Sequence, residues 1–177
     1  MTSPDTTQAP LIVPLGSRDV DDIARIHVAC FDEAWTARIL TRILAMTGAF
    51  ALGVRQGGGV RLGRRPPRGG VADALAGFAI ARVAADECEL LSLGVAPASR
   101  GLGLGAMMLD AALVRASSVN VSKFFLEVAE NNIPALALYK ARGLTQIGRR
   151  PNYYENKDGS FTDAITMRVE LREVSSS

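Results

Sequence analysis

Two stretches of this sequence hold residues whose types and spacing could do chemistry. Residues 95–113 read VAPASRGLGLGAMMLDAAL, a run of alternating glycines between an apolar, strand-like segment and an alanine- and leucine-rich segment of helical composition. A glycine turn that opens a helix suits a phosphate group, because backbone N–H groups can approach closely and the helix N-terminus is electropositive. The second stretch, KFFLEVAENNIPALALYKARGL, ends a short apolar strand near Glu127 and continues into a helix that carries Tyr139. A carboxylate among apolar residues is awkward unless it faces a cleft or turns to solvent at the strand end.

The glycine turn supports two readings. Gly101, Gly103 and Ala106 satisfy G-x-G-x-x-A, and Glu127 ends the next strand about where a dinucleotide-binding fold puts its ribose-binding acid. Against this, Pro97 to Arg100 stand between the strand end at Val95 and the first glycine, and only two strand–helix units follow the motif. The other reading takes Arg100-x-x-Gly103-x-Gly105 as the core. Successive N–H groups of Leu102, Gly103, Leu104, Gly105 and Ala106 would wrap a diphosphate, and the helix dipole would add attraction for the anion. In that reading glycines at 103 and 105 keep Cβ atoms out of the way. Arg100 either adds a charge-assisted contact or is a solvated turn arginine.

The rest of the chain must position these groups. Its 177 residues suit one domain with a real core. Twenty basic and 18 acidic residues give a net charge of +2, which neither demands nor rules out a nucleic-acid partner. Cys30 and Cys88 are the two cysteines, no signal-peptide pattern opens the chain, and no apolar run reaches membrane-spanning length. The expectation is a cytoplasmic protein with free thiols and no membrane association.

Hydrophobic patterning predicts a strand at 11–15, a helix from an Asp19 cap through 31, and a second helix after Thr36. Strands at 49–54, 75–84 and 87–95 follow, then the glycine turn with a helix to about 117, and the strand KFFLEV. NNIPALALYKARG has an asparagine cap, a proline in the first turn and a glycine just past the end, the punctuation of a three-turn helix. Strands near 144–150 and 163–170 close the domain around a turn-rich PNYYENKDGSF. This order implies an α/β architecture, a mixed, mostly antiparallel sheet of about seven strands flanked by about four helices. The predicted domain spans 11–171, with flexible ends at 1–10 and 172–177 and a flexible glycine- and arginine-rich insertion at 55–74.

V-x-P-x-x-R-G-x-G-L-G followed by a helix resembles the acyl-CoA pyrophosphate loop of the GNAT superfamily of N-acyltransferases, and N-x-x-A-x-x-x-Y, here Asn132, Ala135 and Tyr139, resembles its second signature. The resemblance covers roughly residues 11–171. It implies two central parallel strands splayed to hold acyl-CoA, with Leu93, Gly94, Val95, the loop from Arg100 to Ala106, and Asn132, Ala135 and Tyr139 lining the donor site. Asn132 and Tyr139, nearly two turns apart, should share one helix face. LEV, a tyrosine twelve positions after its glutamate, arginines, NYY and DAITM look more closely like the RimI-type ribosomal-protein N-terminal alanine acetyltransferases and their N-α-acetyltransferase relatives.

That similarity implies acetyl-CoA as co-substrate and a protein or peptide N-terminus as acceptor, with ribosomal protein bS18 as one candidate. Glu127 would be the general base and Tyr139 the general acid, in a direct attack through a tetrahedral intermediate. The chemistry is coherent: an α-amino group with a pKa near 8 must lose a proton to attack, and a departing thiolate whose thiol has a pKa of about 8.5 can take one from a phenol. A backbone N–H near Leu93 would face the oxyanion. No metal and no covalent enzyme intermediate is implied, which leaves Cys30, Cys88 and His27 as structural residues.

At the acceptor end the similarity points to Trp35, Arg150, Asn152, Tyr153 and Tyr154, with the tyrosines on the turn between the last two strands. Trp35 either lines the peptide groove or packs. The relatives' tight connection is replaced here by the insertion, whose Arg61, Arg64, Arg65 and Arg68 either contact ribosomal RNA or an acidic protein or are simply solvated. A monomer or weak dimer is expected. The competing readings are an enzyme of the same superfamily acting on a small amine or a lysine, and a catalytically silent acyl-CoA-binding module.

Overall fold

The computed structural model describes residues 10–55, 74–156 and 158–171. The sequence expectations for both termini and for Arg61, Arg64, Arg65 and Arg68 lie outside the described residues. Among the described residues, seven strands and four α-helices follow one another as β1 (Ile12–Leu15), α1 (Val20–Cys30), α2 (Ala37–Leu44), β2 (Ala49–Arg55), β3 (Leu75–Ala84), β4 (Glu87–Val95), α3 (Leu104–Ser117), β5 (Lys123–Ala129), α4 (Ile133–Ala141), β6 (Thr145–Glu155) and β7 (Phe161–Glu170). They form one sheet in the order β1-β2-β3-β4-β5-β7-β6. Every neighbouring pair is antiparallel except β4 and β5, which α3 connects.

Both faces of the sheet are covered. On one, Met108, Leu109 and Ala112 of α3 pack with Leu90, Phe124, Leu126 and Met167. On the other, Ile23, Ile26 and Leu40 of α1 and α2 pack on Phe78 and Ile80. The first seven residues of β3 are all buried, as a central strand with helices on both sides requires.

The parallel pair β4 and β5 stays in register only from Glu87 and Lys123 to Leu90 and Leu126. Beyond that point β4 remains with β3, and β5 remains with β7 from Glu127 and Thr166 onward. The separation begins at a bulge, because Leu90 pairs with Ala81 and Ser92 with Ile80, leaving Leu91 as the extra residue. The sheet is therefore split at one end between two strands whose middles are hydrogen-bonded, as the expected splay requires.

Two expectations need correction. Asp19 precedes α1 but makes no side-chain cap to it; its Oδ2 instead accepts from Gly16 N–H and its Oδ1 holds Arg55 at 2.6 Å. The segment PNYYE is strand rather than turn, since β6 runs to Glu155 and the turn is confined to the residues after it. Between Arg150, opposite Ala164, and Tyr154, opposite Thr162, β6 has three residues where β7 has one. Asp163 stabilises this bulge by accepting from Asn152 N–H at 2.9 Å and from Arg149 Nε at 2.5 Å. Asn152 takes φ +53 there, a conformation asparagine tolerates better than most residues. Because β6 is an edge strand, Pro151 costs the ladder nothing.

Candidate active site

The first part of the candidate site lies where β4 leaves β5. Ala96 N–H bonds Ala76 O, and with the alternation of an antiparallel ladder this turns the backbone groups of Leu93 and Val95 away from β3 and toward the gap. Gly94 lies between them, and a Cβ there would come within 2.8 Å of the Phe78 ring, so packing alone accounts for that glycine.

α3 begins at the mouth of this gap. Gly103 is its N-cap at φ +74, and Gly101 has φ +77, conformations that disfavour any residue with a Cβ. No side chain caps the helix, and the first intrahelical bond runs from Met107 N–H to Gly103 O. The N–H groups of Leu104, Gly105 and Ala106 thus lack helical partners, the condition under which a helix start receives an anion. Gly105 differs from the sequence expectation: its Cβ would point to Leu93, Val95 and Leu138 at 3.6–3.8 Å, ordinary contacts within the protein. Arg100 folds back, its Nε donating to Val95 O at 3.3 Å and its Nη2 reaching Cys30 Sγ at 3.6 Å.

α4 meets the gap differently. Asn132 stands just before the helix as its exposed cap, Oδ1 accepting from Ala135 N–H at 3.3 Å. Ala135 packs on the core beside Tyr139, which is buried. Burial, and next the phenol of Tyr154, push the Tyr139 hydroxyl up to about 12, so it is a neutral donor at ordinary pH.

Glu127 projects from β5 just past the last β4 pair, with a side chain 17% exposed. Arg150 Nε lies 2.8 Å from its Oε1, and the Arg150 guanidinium sits 5.5 Å from the centre of the Tyr153 ring. The Tyr153 ring meets Tyr154 edge-on at 5.0 Å. The Glu127 charge raises the Tyr153 hydroxyl, and burial followed by Glu127 pushes Tyr154 up to about 12. Glu127, Arg150, Tyr153 and Tyr154 therefore form one group, and the Tyr154 phenol acts on Tyr139 through its charge. Asn152 stands apart, its backbone spent on the β6 bulge.

The structure adds a residue that the sequence reading passed over. Glu89 on β4 pairs in register with Phe125, two residues before Glu127 on β5. Burial, and next Glu127, raise its carboxyl above the usual range, against Arg82 and Arg150. The signal was visible as a second glutamate inside an otherwise apolar strand, ECELLSL. Cys88 is buried, which pushes its thiol up to about 12, and Cys30 donates to Val95 O; both are free thiols in packing roles. Among the described residues no cluster could hold a metal ion, and no helix is long and apolar enough to cross a membrane.

The family described as Acetyltransferase (GNAT) family matches residues 20–144. The chain is 35% identical over 99 residues to the ribosomal protein bS18-alanine N-acetyltransferase of Haemophilus ducreyi, covering 56% of this chain and 68% of that one. It is 35% identical over 97 residues to the Escherichia coli enzyme of the same name, covering 55% and 65%. These alignments span about two thirds of the relatives' length. The crystal structure of the ribosomal-protein-S18-alanine N-acetyltransferase from Escherichia coli shares the fold, with TM-score 0.80 and 24% identity over 95% of this chain and 97% of that one. So does Arabidopsis thaliana NAA60 in complex with acetyl-CoA, with TM-score 0.77 and 17% identity over 92% and 99%. With a family match across most of its length, a sheet split between β4 and β5, and an uncapped glycine turn at the split, the chain belongs to the GNAT family of acetyltransferases.

Proposed function

We propose that this chain transfers an acetyl group from acetyl-CoA to the free α-amino group at the N-terminus of a protein or peptide, with ribosomal protein bS18 as one candidate acceptor. The observation that carries the reading is the split of the sheet after Leu90 and Leu126, which sets an uncapped helix start on one side and Glu127 on the other. The 35% identity to bS18-alanine N-acetyltransferases supports the acceptor class.

The residues present fit the donor. N–H groups of Leu104, Gly105 and Ala106 would hold its diphosphate, Gly101, Leu102 and Gly103 would keep the turn open, and Arg100 would stay at the β4 end. Leu93, Gly94 and Val95 would border its thioester end, with the Leu93 N–H aimed into the gap as an oxyanion donor. Asn132 Nδ2 remains available beside the slot once Oδ1 has capped α4, and Ala135 gives the slot a small wall.

Glu127 would accept the ammonium proton of the acceptor, directly or through water, and Glu89 would give that proton a second carboxylate on the same sheet face. Tyr139, held neutral by burial, would protonate the departing thiolate. Arg150, Tyr153 and Tyr154 would border the acceptor's first residue, with Trp35 on the opposite wall. A slot made of two tyrosines and a paired arginine suits a narrow, unbranched N-terminus.

The test is thiol release from acetyl-CoA with short peptides starting in Ala, Ser or Met, an N-terminally blocked peptide with an internal lysine, and a polyamine. Turnover confined to free N-termini is expected. Turnover on lysine or polyamine alone would overturn the acceptor class, and acetyl-CoA binding without turnover on any amine would make the chain a silent binding module. Glu127→Gln should lower kcat on the order of 10²- to 10⁴-fold, and Tyr139→Phe about 10²-fold with donor affinity kept. A matched loss of donor affinity in Tyr139→Phe would show a packing residue instead.

A further inference from the structure

The proposed chemistry leaves the single histidine of the chain unused, yet His27 is buried on the α1–α2 face with both ring nitrogens bonded. It is 2% exposed. Its ring lies against Phe31 at 4.3 Å, Trp35 at 4.9 Å and Phe78 at 5.8 Å between centroids. Both ring nitrogens are engaged. Nδ1 accepts from the backbone N–H of Trp35 at 3.1 Å, and Nε2 lies 3.3 Å from Ser92 Oγ. Since Nδ1 accepts, the ring proton is on Nε2, which donates to the serine.

The two partners belong to different parts of the site. Trp35 is in the short connection between α1 and α2, on the proposed acceptor wall. Ser92 is on β4 two residues past Leu90, the last residue paired with β5, and next to Leu93. Three residues further along α1, Cys30 donates to Val95 O at 3.3 Å, so the end of the helix touches the free end of β4 twice. Buried groups with every hydrogen bond satisfied fix geometry in a way that apolar contacts alone do not.

We propose that His27 is a positioning residue that, through its two ring nitrogens, ties the connection carrying Trp35 to the unpaired end of β4, holding the acceptor wall and the donor strand in one fixed relation. Its effect on turnover rests on the acetyl-transfer reading above; the tie itself does not. Because His27 touches neither reacting group, its loss should alter acceptor binding and alignment while leaving donor binding in place.

The experiment compares His27→Phe, which keeps an aromatic ring in the stack and removes both nitrogens, with His27→Asn, whose amide oxygen can stand where Nδ1 accepts. Trp35 is the only tryptophan, so its emission and its quenching by acrylamide report directly on the tied segment. In His27→Phe the emission should move to longer wavelength with stronger quenching, and the acceptor KM should rise about 10-fold, the loss of about one net hydrogen bond, with the acetyl-CoA KM within about twofold. His27→Asn should restore most of both. If His27→Phe does not fold, Ser92→Ala cuts only the β4 link and should raise acceptor KM about threefold with donor KM unchanged. A folded His27→Phe with wild-type emission and acceptor KM, or equal rises in both KM values, would overturn the tie. Absence of turnover by the wild type on every amine would defeat the acetyl-transfer reading instead, while the Trp35 emission of the variants still decides the tie.

Discussion

Two helices begin beside the same gap in the sheet and do so in opposite ways. α4 is finished at its start: Asn132 Oδ1 takes the Ala135 N–H, Pro134 has no N–H to satisfy, and Asn132 N–H and Ile133 N–H bond Ala129 O and Asn131 O. α3 is unfinished, with a glycine cap at φ +74, no side-chain cap and three N–H groups without helical partners. With glycine at the cap, the missing side-chain bond costs α3 only a few tenths of a kcal/mol. The difference teaches that α3 leaves its first N–H groups open, whereas α4 satisfies its own and carries the buried Tyr139.

The largest expected effect sharpens the comparison by elimination. Neither helix start has an acid in its first turn, so acid should leave both intact and act elsewhere. Burial lowers the His27 imidazole from 6.5 to about 4, and it is the only histidine. As pH falls below 6.5 the unfolded chain takes up a proton that the folded chain refuses until about pH 4, so stability is full above 6.5 and declines through that window. The loss amounts to about 3 kcal/mol by pH 4. Urea melts from pH 7 to about 5 should show this slope in the wild type and not in His27→Phe, while nearer pH 4 the lowered carboxylates of Asp86, Asp158 and Asp163 begin to act in both; equal slopes above about pH 5 would refute the assignment.

Next in size is Gly103→Val. A β-branched residue at φ +74 is strained by about 1–2 kcal/mol and would cover the open N–H groups, so acetyl-CoA affinity should fall on the order of 10²-fold by calorimetry. Unchanged affinity would remove α3 from the donor site and break the comparison. At α4, Asn132→Ala should lower stability by about 1 kcal/mol, while Asn132→Ser should keep a neutral cap and lose the Nδ2 donor. Lower donor affinity in the serine variant with an unchanged melting temperature would show Asn132 serving helix and ligand separately; no change in affinity would confine it to the cap.

The smallest effect is at Gly105. With room for a Cβ among Leu93, Val95 and Leu138, Gly105→Ala should raise stability by about 0.5–1 kcal/mol and change donor affinity less than about threefold. A large loss of affinity would mean that the ligand, rather than the backbone, requires glycine there.

The legible parts of the molecule are those that short-range chemistry governs. The glycine turn opening α3, the asparagine, proline and glycine that punctuate α4, and the apolar strand leading to Glu127 each follow from dihedral preference, capping or alternation within a few residues. The paired arginine and tyrosines around Glu127 were named as acceptor-side residues, but their setting was misjudged. Arg149, Asn152 and Asp163 build a bulge that carries β6 through PNYYE, and a pattern-based reading sees only turn residues there.

By itself, then, the sequence determined the order of the elements and the family, because each is encoded in local pattern. Only the tertiary structure decided where β4 and β5 part, that Leu91 bulges, that Asn132 and Tyr139 serve different surroundings, that Glu89 stands beside Glu127, and that His27 joins Trp35 to Ser92. These depend on register between strands and on packing between helices and sheet, set by contacts tens of residues apart. A local pattern limits such contacts without choosing among them.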